Sequence, residues 1–528
     1  MRALCRSSRF AFVILPTLAR KWGNSTEACL GWSGLARSVI RLKNAMKQAA
    51  NRVPSAGRLS SKKQEKKVFE SLPKSLAKCL QNIGVTVISS LFMASGSTLA
   101  AELSRGTPEE VGMSSAQLQK ITDVVQQYID ANRVQGVVVG ITRRNRVVYY
   151  EAHGVLDAAT GAPMPKDAIF AMASSTKPIL GVAAMMLIEE GVINLDDPVH
   201  EYLPEFKNIQ VAIPLDTADS DGGKKKGKAG KTSKYDEQWL AENWESLAED
   251  ERAKVIAYYQ ELEKNKVPVE VKLVPAERPI TVHDLLTHTA GLHTGGPGSA
   301  ASKLRVGKTD TLASFIPKVA KDPLDFQPGT KWAYSGTIGL DVVARIIEIA
   351  SGMPFDQFVQ TRIFDPLDMR DTHWNMPENK QHRYPVIPND KGSYIRSPFY
   401  FSGSVGLLST ARDFMHFEQM LVNKGSLFGH RLLKPETVEL MSTNKISKLF
   451  DSSGKGVSGL GFGYTVGINM HPELSKDPRP AGAFGWGGAA GTVSWSAPAE
   501  ELSFVYMVLG PTELPSKLAA IVSHALLD

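Results

Sequence analysis

From residue 102 onward the spacing of apolar residues runs from helical to strand-like, back to helical, and to strand-like again. A Ser114-x-x-Gln117 capping box followed by Leu118, Ile121, Val125 and Ile129 predicts an amphipathic helix with one packed face. The β-rich runs GVVVGIT (136–142) and RVVYYEA (146–152) flank Arg143, Arg144 and Asn145, which predicts a hairpin. Far along the chain, GFGYTVGIN (461–469), GTVSWSA (491–497) and LSFVYMV (502–508) are further strand candidates, and a closing helix is predicted near 515–527. Both ends of this region therefore read as α/β.

The middle reads differently. Ile338, Leu340, Val343, Ile346 and Ile347 recur at helical spacing until Gly352 and Pro354 stop them, so the stretch of about 172–440 is predicted to form a helical lobe. Within it, residues 216–266 stand apart as an insertion: a GGKKKGKAGK tract, then a charged stretch with Trp239, Leu240, Trp244 and Leu247 at helical spacing. Charge runs of this kind are usually solvated faces, and deleting the insertion is expected to leave the fold intact.

Composition agrees with a folded enzyme: 43% hydrophobic and 22% charged residues in a chain of 528 exclude a disordered polymer and a polytopic membrane protein. The net charge of +7 suggests nucleic acid until it is located. Residues 1–101 hold 17 of the 61 Lys and Arg and only Glu27, Glu65 and Glu70 among acids, leaving 44 basic against 51 acidic residues beyond. A net negative body repels phosphate backbones, so nucleic acid is not an expected partner. Cys5, Cys29 and Cys79 all lie in the same front segment, which leaves the body without a thiol for a disulfide, a zinc site or a cysteine nucleophile.

That front segment reads as targeting sequence, with the folded domain expected over 102–528. IGVTVISSLFMASGSTLAA (83–101) follows a basic stretch containing Lys62, Lys63, Lys66, Lys67, Lys74 and Lys78 and ends in the small residues Thr98, Ala100 and Ala101. This is the order of a signal peptide cleaved near residue 100, which leaves no stable membrane span and implies a periplasmic or secreted protein. Its many Ser and Gly residues suit it poorly to a permanent span. Residues 1–64, rich in Arg and Ser with Glu27 as their only acid, also fit an organelle transit peptide, so a mitochondrial address is the alternative. The internal placement of the apolar run favours a later translation start.

The candidate chemistry lies at Ser174, Ser175, Thr176 and Lys177. S-x-x-K alone is a weak pattern, recurring at Ser60, Ser71, Ser442 and Ser452. Ser174, however, directly precedes PILGVAAMMLIEEG (178–191), an apolar helix ending at Gly191, and Pro178 belongs only in a first helical turn. Ser174 is thus placed at a helix start, and a spacing of three sets the Lys177 amine on the same face as the hydroxyl. The positive helix end and burial both disfavour a protonated lysine, and an uncharged amine can accept the serine proton.

FAMASSTKP (170–178), ITVHDLLTHTAGL (280–292), QPGTKWAYSG (327–336), SGSVGLLSTARDF (402–414) and FGWGGAAGT (484–492) occur in the order of a known family. Over about 105–525 the chain resembles the class C beta-lactamase-like serine hydrolases, which include penicillin-binding proteins, D-alanyl peptidases and esterases. The resemblance implies an antiparallel sheet with flanking terminal helices and an inserted all-helical lobe, the site lying between them. It also implies that Ser174 is acylated, that Lys177 is its partner, and that Tyr334 relays a proton between serine and leaving group. The N–H groups of Ser174 and Ala489 would form the oxyanion hole, with Trp486, Gly487 and Gly488 on the strand facing the serine as substrate-binding residues; no cofactor is implied.

Two departures bear on the substrate. Tyr334 is followed by Ser335 and Gly336, where lactamases and peptidases often carry an asparagine, and Trp486 stands where a basic side chain commonly binds a carboxylate. A tryptophan has one N–H and no charge, which suits an apolar acyl or alkyl group. The W-G-G form resembles the esterase members, so carboxylic-ester hydrolysis is the favoured expectation, acting on a small-molecule ester or amide. The alternatives are beta-lactamase or D-alanyl-D-alanine carboxypeptidase activity and a catalytically silent scaffold. His283, His288 and His293 fall on no single helical face, so no metal site is expected, and no Gly-rich phosphate loop supports nucleotide use.

Overall fold

The computed structural model describes residues 101–215, 270–300, 302–386, 397–449 and 459–527, with Lys254 alone in the interval between the first two. The front segment up to residue 100, including the signal-like run, and nearly all of the 216–266 insertion lie outside the described residues.

The predicted helix at Ser114 is α1 (Ser115–Asp130), with the Ser114 hydroxyl accepting from Gln117 N. The reciprocal half of the box does not form, because Ser114 N donates to Ala525 O and ties the two ends of the domain together. The hairpin follows as β1 (Gly136–Arg143) and β2 (Arg146–Asp157). Arg143 belongs to the strand, and the turn consists of Arg144 and Asn145 alone, at φ 49° and 62°, the positive values that a tight two-residue hairpin requires.

Further strands complete the sheet: β5 (Leu460–Phe462), β6 (Gly467–Asn469), β7 (Phe484–Gly487), β8 (Val493–Ala497) and β9 (Leu502–Val508). Their spatial order is β2-β1-β9-β8-β7-β6-β5, antiparallel throughout. Ser104–Arg105 adds a short parallel pair to the start of β2, so the sheet as a whole is mixed, unlike the purely antiparallel sheet expected. The 461–469 run is two strands, not one: Gly463 N bonds back to Val466 O and Thr465 takes φ 68°, turning the chain between them.

The sheet has two buried faces, which explains the unbroken apolar run of β1. Val137, Val139 and Ile141 pack with α1 and the closing helix, whose residues Leu514, Leu518 and Val522 join the same cluster. Val138, Val505 and Met507 face the larger core beneath. There Gly140 leaves room for the Met415 side chain, whose sulfur would lie 2.5 Å from an added Cβ.

The intervening lobe is built on α2 (Lys177–Glu189), buried from Lys177 to Leu187 on every side, and on α4 (Gly339–Ser351), capped by Gly352 at φ 69°. The short α3 (Val282–Leu286) packs on α4, and α5 (Ala411–Val422) closes the lobe against the sheet. The lobe is not wholly helical. β3 (Gln210–Pro214) and β4 (Val271–Pro275) pair antiparallel, so the segments that flank the insertion lie on neighbouring strands. The closing helix, expected near 515–527, is α6 (Leu514–His524).

Candidate active site

Ser174 lies in a 3-10 turn, Ala173–Thr176, that runs directly into α2, with Pro178 in the first turn of the helix. Ala173 holds φ 43°, a left-handed conformation that costs a residue bearing a Cβ and presents the following serine at the mouth of the helix. The turn is fastened from both sides: Met172 N donates to Leu407 O, and Leu407 N donates to the Thr176 hydroxyl. Ser175 Oγ lies 3.2 Å from Thr492 Oγ1, which itself donates to Met172 O.

Lys177 is fully buried. Its Nζ donates to Gly336 O at 2.7 Å and Ser404 O at 3.0 Å, and lies 3.2 Å from Ser174 Oγ. Two backbone carbonyls thus aim the nitrogen at the hydroxyl. The Tyr334 ring covers the same nitrogen, its centroid 4.9 Å away. Burial pushes the Tyr334 phenol above its ordinary value, opposed by hydrogen bonds with Ser174 and Trp486. The structure therefore brings Ser174, Lys177 and Tyr334 together.

Trp486 on β7 donates through Nε1 to the Tyr334 hydroxyl at 3.1 Å. Its single polar hydrogen serves the phenol, and the ring joins an aromatic wall with Phe462 at 5.3 Å and Tyr334 at 5.5 Å between centroids. Gly487 ends the strand. Gly488 lies against the serine turn, where an added Cβ would stand 2.2 Å from Met172 O. Gly488 N donates to Thr492 O and Gly491 N to Gly488 O, a tight turn that carries the exposed Ala489.

The predicted histidines diverge. His283 bonds Tyr464, His293 faces Asp322, and His288 is buried against Tyr334. Among the described residues no group of three or more potential metal ligands converges, and no helix is long and apolar enough to cross a membrane. Several groups that shape the site carry no side-chain signal in the sequence, above all the carbonyls of Gly336 and Ser404. Asp341 holds the second of these: it accepts from Ser404 N at 2.9 Å, Ser402 Oγ at 2.8 Å and Tyr400 OH at 2.9 Å.

A sequence model of the beta-lactamase family matches residues 121–224 and 249–527. The chain belongs to the beta-lactamase family. It is a serine hydrolase with the beta-lactamase/transpeptidase-like fold. Curated relatives include Protein Rv1367c of Mycobacterium tuberculosis, 28% identical over 76% of this chain and 92% of that protein. Esterase EstB of Burkholderia gladioli is 27% identical over 74% of this chain and 89% of its own length. Among solved structures, the hydrolase EstCE1 superposes with a TM-score of 0.57 at 22% identity, over 78% of this chain and 99% of that one. Simvastatin synthase (LovD) of Aspergillus terreus does so at 0.58 and 18% identity, over 78% and 98%. At those identities the structural matches speak for the fold.

Proposed function

We propose that this beta-lactamase-family hydrolase cleaves carboxylic esters through an acyl-enzyme on Ser174. The observation that carries the reading is the setting of Lys177. A neutral amine that donates to Gly336 O and Ser404 O keeps a lone pair, and Ser174 Oγ lies 3.2 Å from the nitrogen, within reach for proton transfer. Lys177 takes the hydroxyl proton as Oγ bonds to the ester carbonyl carbon, whose π electrons move to oxygen. The N–H groups of Ser174 and Ala489 stabilise that oxyanion. Collapse of the tetrahedral adduct breaks the bond to the alkoxy oxygen, which receives the proton by way of Tyr334. Water then attacks the acyl-enzyme along the same path in reverse, freeing the acid.

Preference for esters over lactams or peptides is supported by Trp486. It brings no positive charge to the strand facing the serine, and its one donor is taken by Tyr334. Trp486 offers a substrate carboxylate no charge, whereas an apolar acyl chain meets an aromatic wall. The name of relative EstB and that of the lovastatin esterase of Penicillium rubens, 26% identical over 69% of this chain and 80% of that protein, agree with this choice. Comparing kcat/KM on a short-chain nitrophenyl ester and on nitrocefin tests it, with Ser174→Ala as control. A preference for nitrocefin defeats the esterase reading, and a chain that a fluorophosphonate leaves unlabelled is a scaffold.

Export, directed by a cleaved signal over residues 83–101, is proposed for the location, with a mitochondrial address as the alternative. N-terminal sequencing of the mature protein tests it, and an intact Met1 counts against cleavage.

A further inference from the structure

His288 follows α3 in the loop that runs beside Tyr334. It is 2% exposed and adopts φ 60°, left-handed for a residue with a bulky side chain. That conformation turns both its backbone and its ring toward one target. Ala333 N donates to His288 O at 3.1 Å, and Ser335 N donates to His288 Nδ1 at 3.3 Å. These are the two residues flanking Tyr334. The imidazole also meets the phenol ring edge-on with centroids 4.8 Å apart, and rests against Phe462 at 5.4 Å.

The chemistry of the ring suits a fixed acceptor. Because Nδ1 accepts from a peptide N–H, the neutral ring carries its hydrogen on Nε2. Burial holds the imidazole well below its usual range, so the acceptor persists. Nε2 itself meets no partner among the described residues. A buried donor left unmet is costly, and the left-handed backbone adds to that at the same residue. Such costs are tolerated where a position serves a site and not stability alone.

We propose that His288 is a positioning residue for Tyr334, clamping the peptide on both sides of the phenol while its ring fixes the phenol's direction. The proposal rests on the reading of Tyr334 as the proton relay. Its test is a comparison of His288→Asn with His288→Gln. Asparagine sets an amide oxygen near the place of Nδ1 and can still accept from Ser335 N; glutamine sets its amide one carbon further out and cannot. With a nitrophenyl ester, His288→Gln is expected to lose about 10- to 100-fold in kcat with KM changed less than about twofold, and His288→Asn to recover most of that loss.

Thermal unfolding of each variant reads folding separately. Should His288→Gln not fold, His288→Phe, which keeps the ring and lacks the acceptor, takes its place. If every variant without the acceptor unfolds, the histidine is structural and the positioning role is overturned. Equal turnover in the Asn and Gln variants overturns it as well. Tyr334→Phe, measured alongside, separates the two ideas: full activity there defeats the reading of Tyr334 itself, whereas an impaired Tyr334→Phe with equal His288 variants defeats only the clamp.

Discussion

Trp486 and Tyr334 come from opposite sides of the cleft, one from the sheet and one from the lobe, and are joined by a hydrogen bond of 3.1 Å from the indole N–H to the phenol oxygen. The bond ties the two halves of the site together and orients the phenol toward Ser174. It also leaves the phenol's own hydrogen to travel.

Trp486→Phe keeps an aromatic ring and deletes the donor. Losing one hydrogen bond to a buried polar group costs about 1–3 kcal/mol, so kcat on an ester is expected to fall about tenfold. Because the Trp486 bond now lowers the Tyr334 phenol, its loss raises that group further. The pH–rate profile checks this, through an alkaline limb moved to higher pH.

Gly488 and Gly487 are neighbours with different demands. An added Cβ at 488 meets Met172 O at 2.2 Å, a backbone atom that cannot yield without moving the serine turn, whereas at 487 the first contact is the Val493 side chain at 3.3 Å. Gly488→Ala is therefore expected to displace the Ala489 N–H and slow acylation about 100-fold or more, and Gly487→Ala to lose far less. Single-turnover rates compare the two.

Glu418 on α5 is a buried acid outside the site, accepting from Ser496 Oγ at 2.6 Å. Burial pushes its carboxyl up to about 7, partly opposed by Ser494 and Ser496. The folded state then holds a proton that the unfolded state releases near its ordinary 4.5. Stability accordingly falls as pH rises from that value through about 7 and levels above, by about 3 kcal/mol in all. Urea unfolding between pH 5 and 8 checks this, and Glu418→Gln is expected to remove that part of the slope.

The insertion is expected to be dispensable for folding. Pro214 pairs with Val271, and Leu215 N donates to Glu270 O at 2.8 Å, so the chain leaves and returns at one hairpin end. Replacing 216–269 with Asn-Gly supplies the turn that such a pair closes over. The shortened chain is expected to unfold cooperatively within a few degrees of the full one, measured by calorimetry, and to retain ester turnover.

The parts of this protein that were legible in its sequence are those written in side chains with a period or a spacing. The β9 run 502–508 coincides with the observed strand because every position but Ser503 is apolar and both faces are covered. Ser174 and Lys177 were legible because Pro178 and Gly191 bound the helix between them. The 461–469 turn was not, since it depends on a left-handed Thr465 and on backbone contacts with the lobe. Nor were the acceptors of Lys177, which are carbonyls of residues 159 and 227 positions away and have no residue-type signature. His288 was visible only as part of a loop motif; its tie to Ser335 spans 47 residues and exists only once the two loops run side by side.

The central claim is that an uncharged Lys177 takes the proton of Ser174. Rapid-mixing measurement of the acylation burst with a nitrophenyl ester, in the unaltered enzyme and in Lys177→Arg, tests it most directly. Arginine brings a fixed charge and cannot be deprotonated. A burst of about one equivalent per chain is expected in the unaltered enzyme, and an acylation rate lower by about 100-fold or more in the variant. A Lys177→Arg enzyme that acylates at the unaltered rate contradicts it.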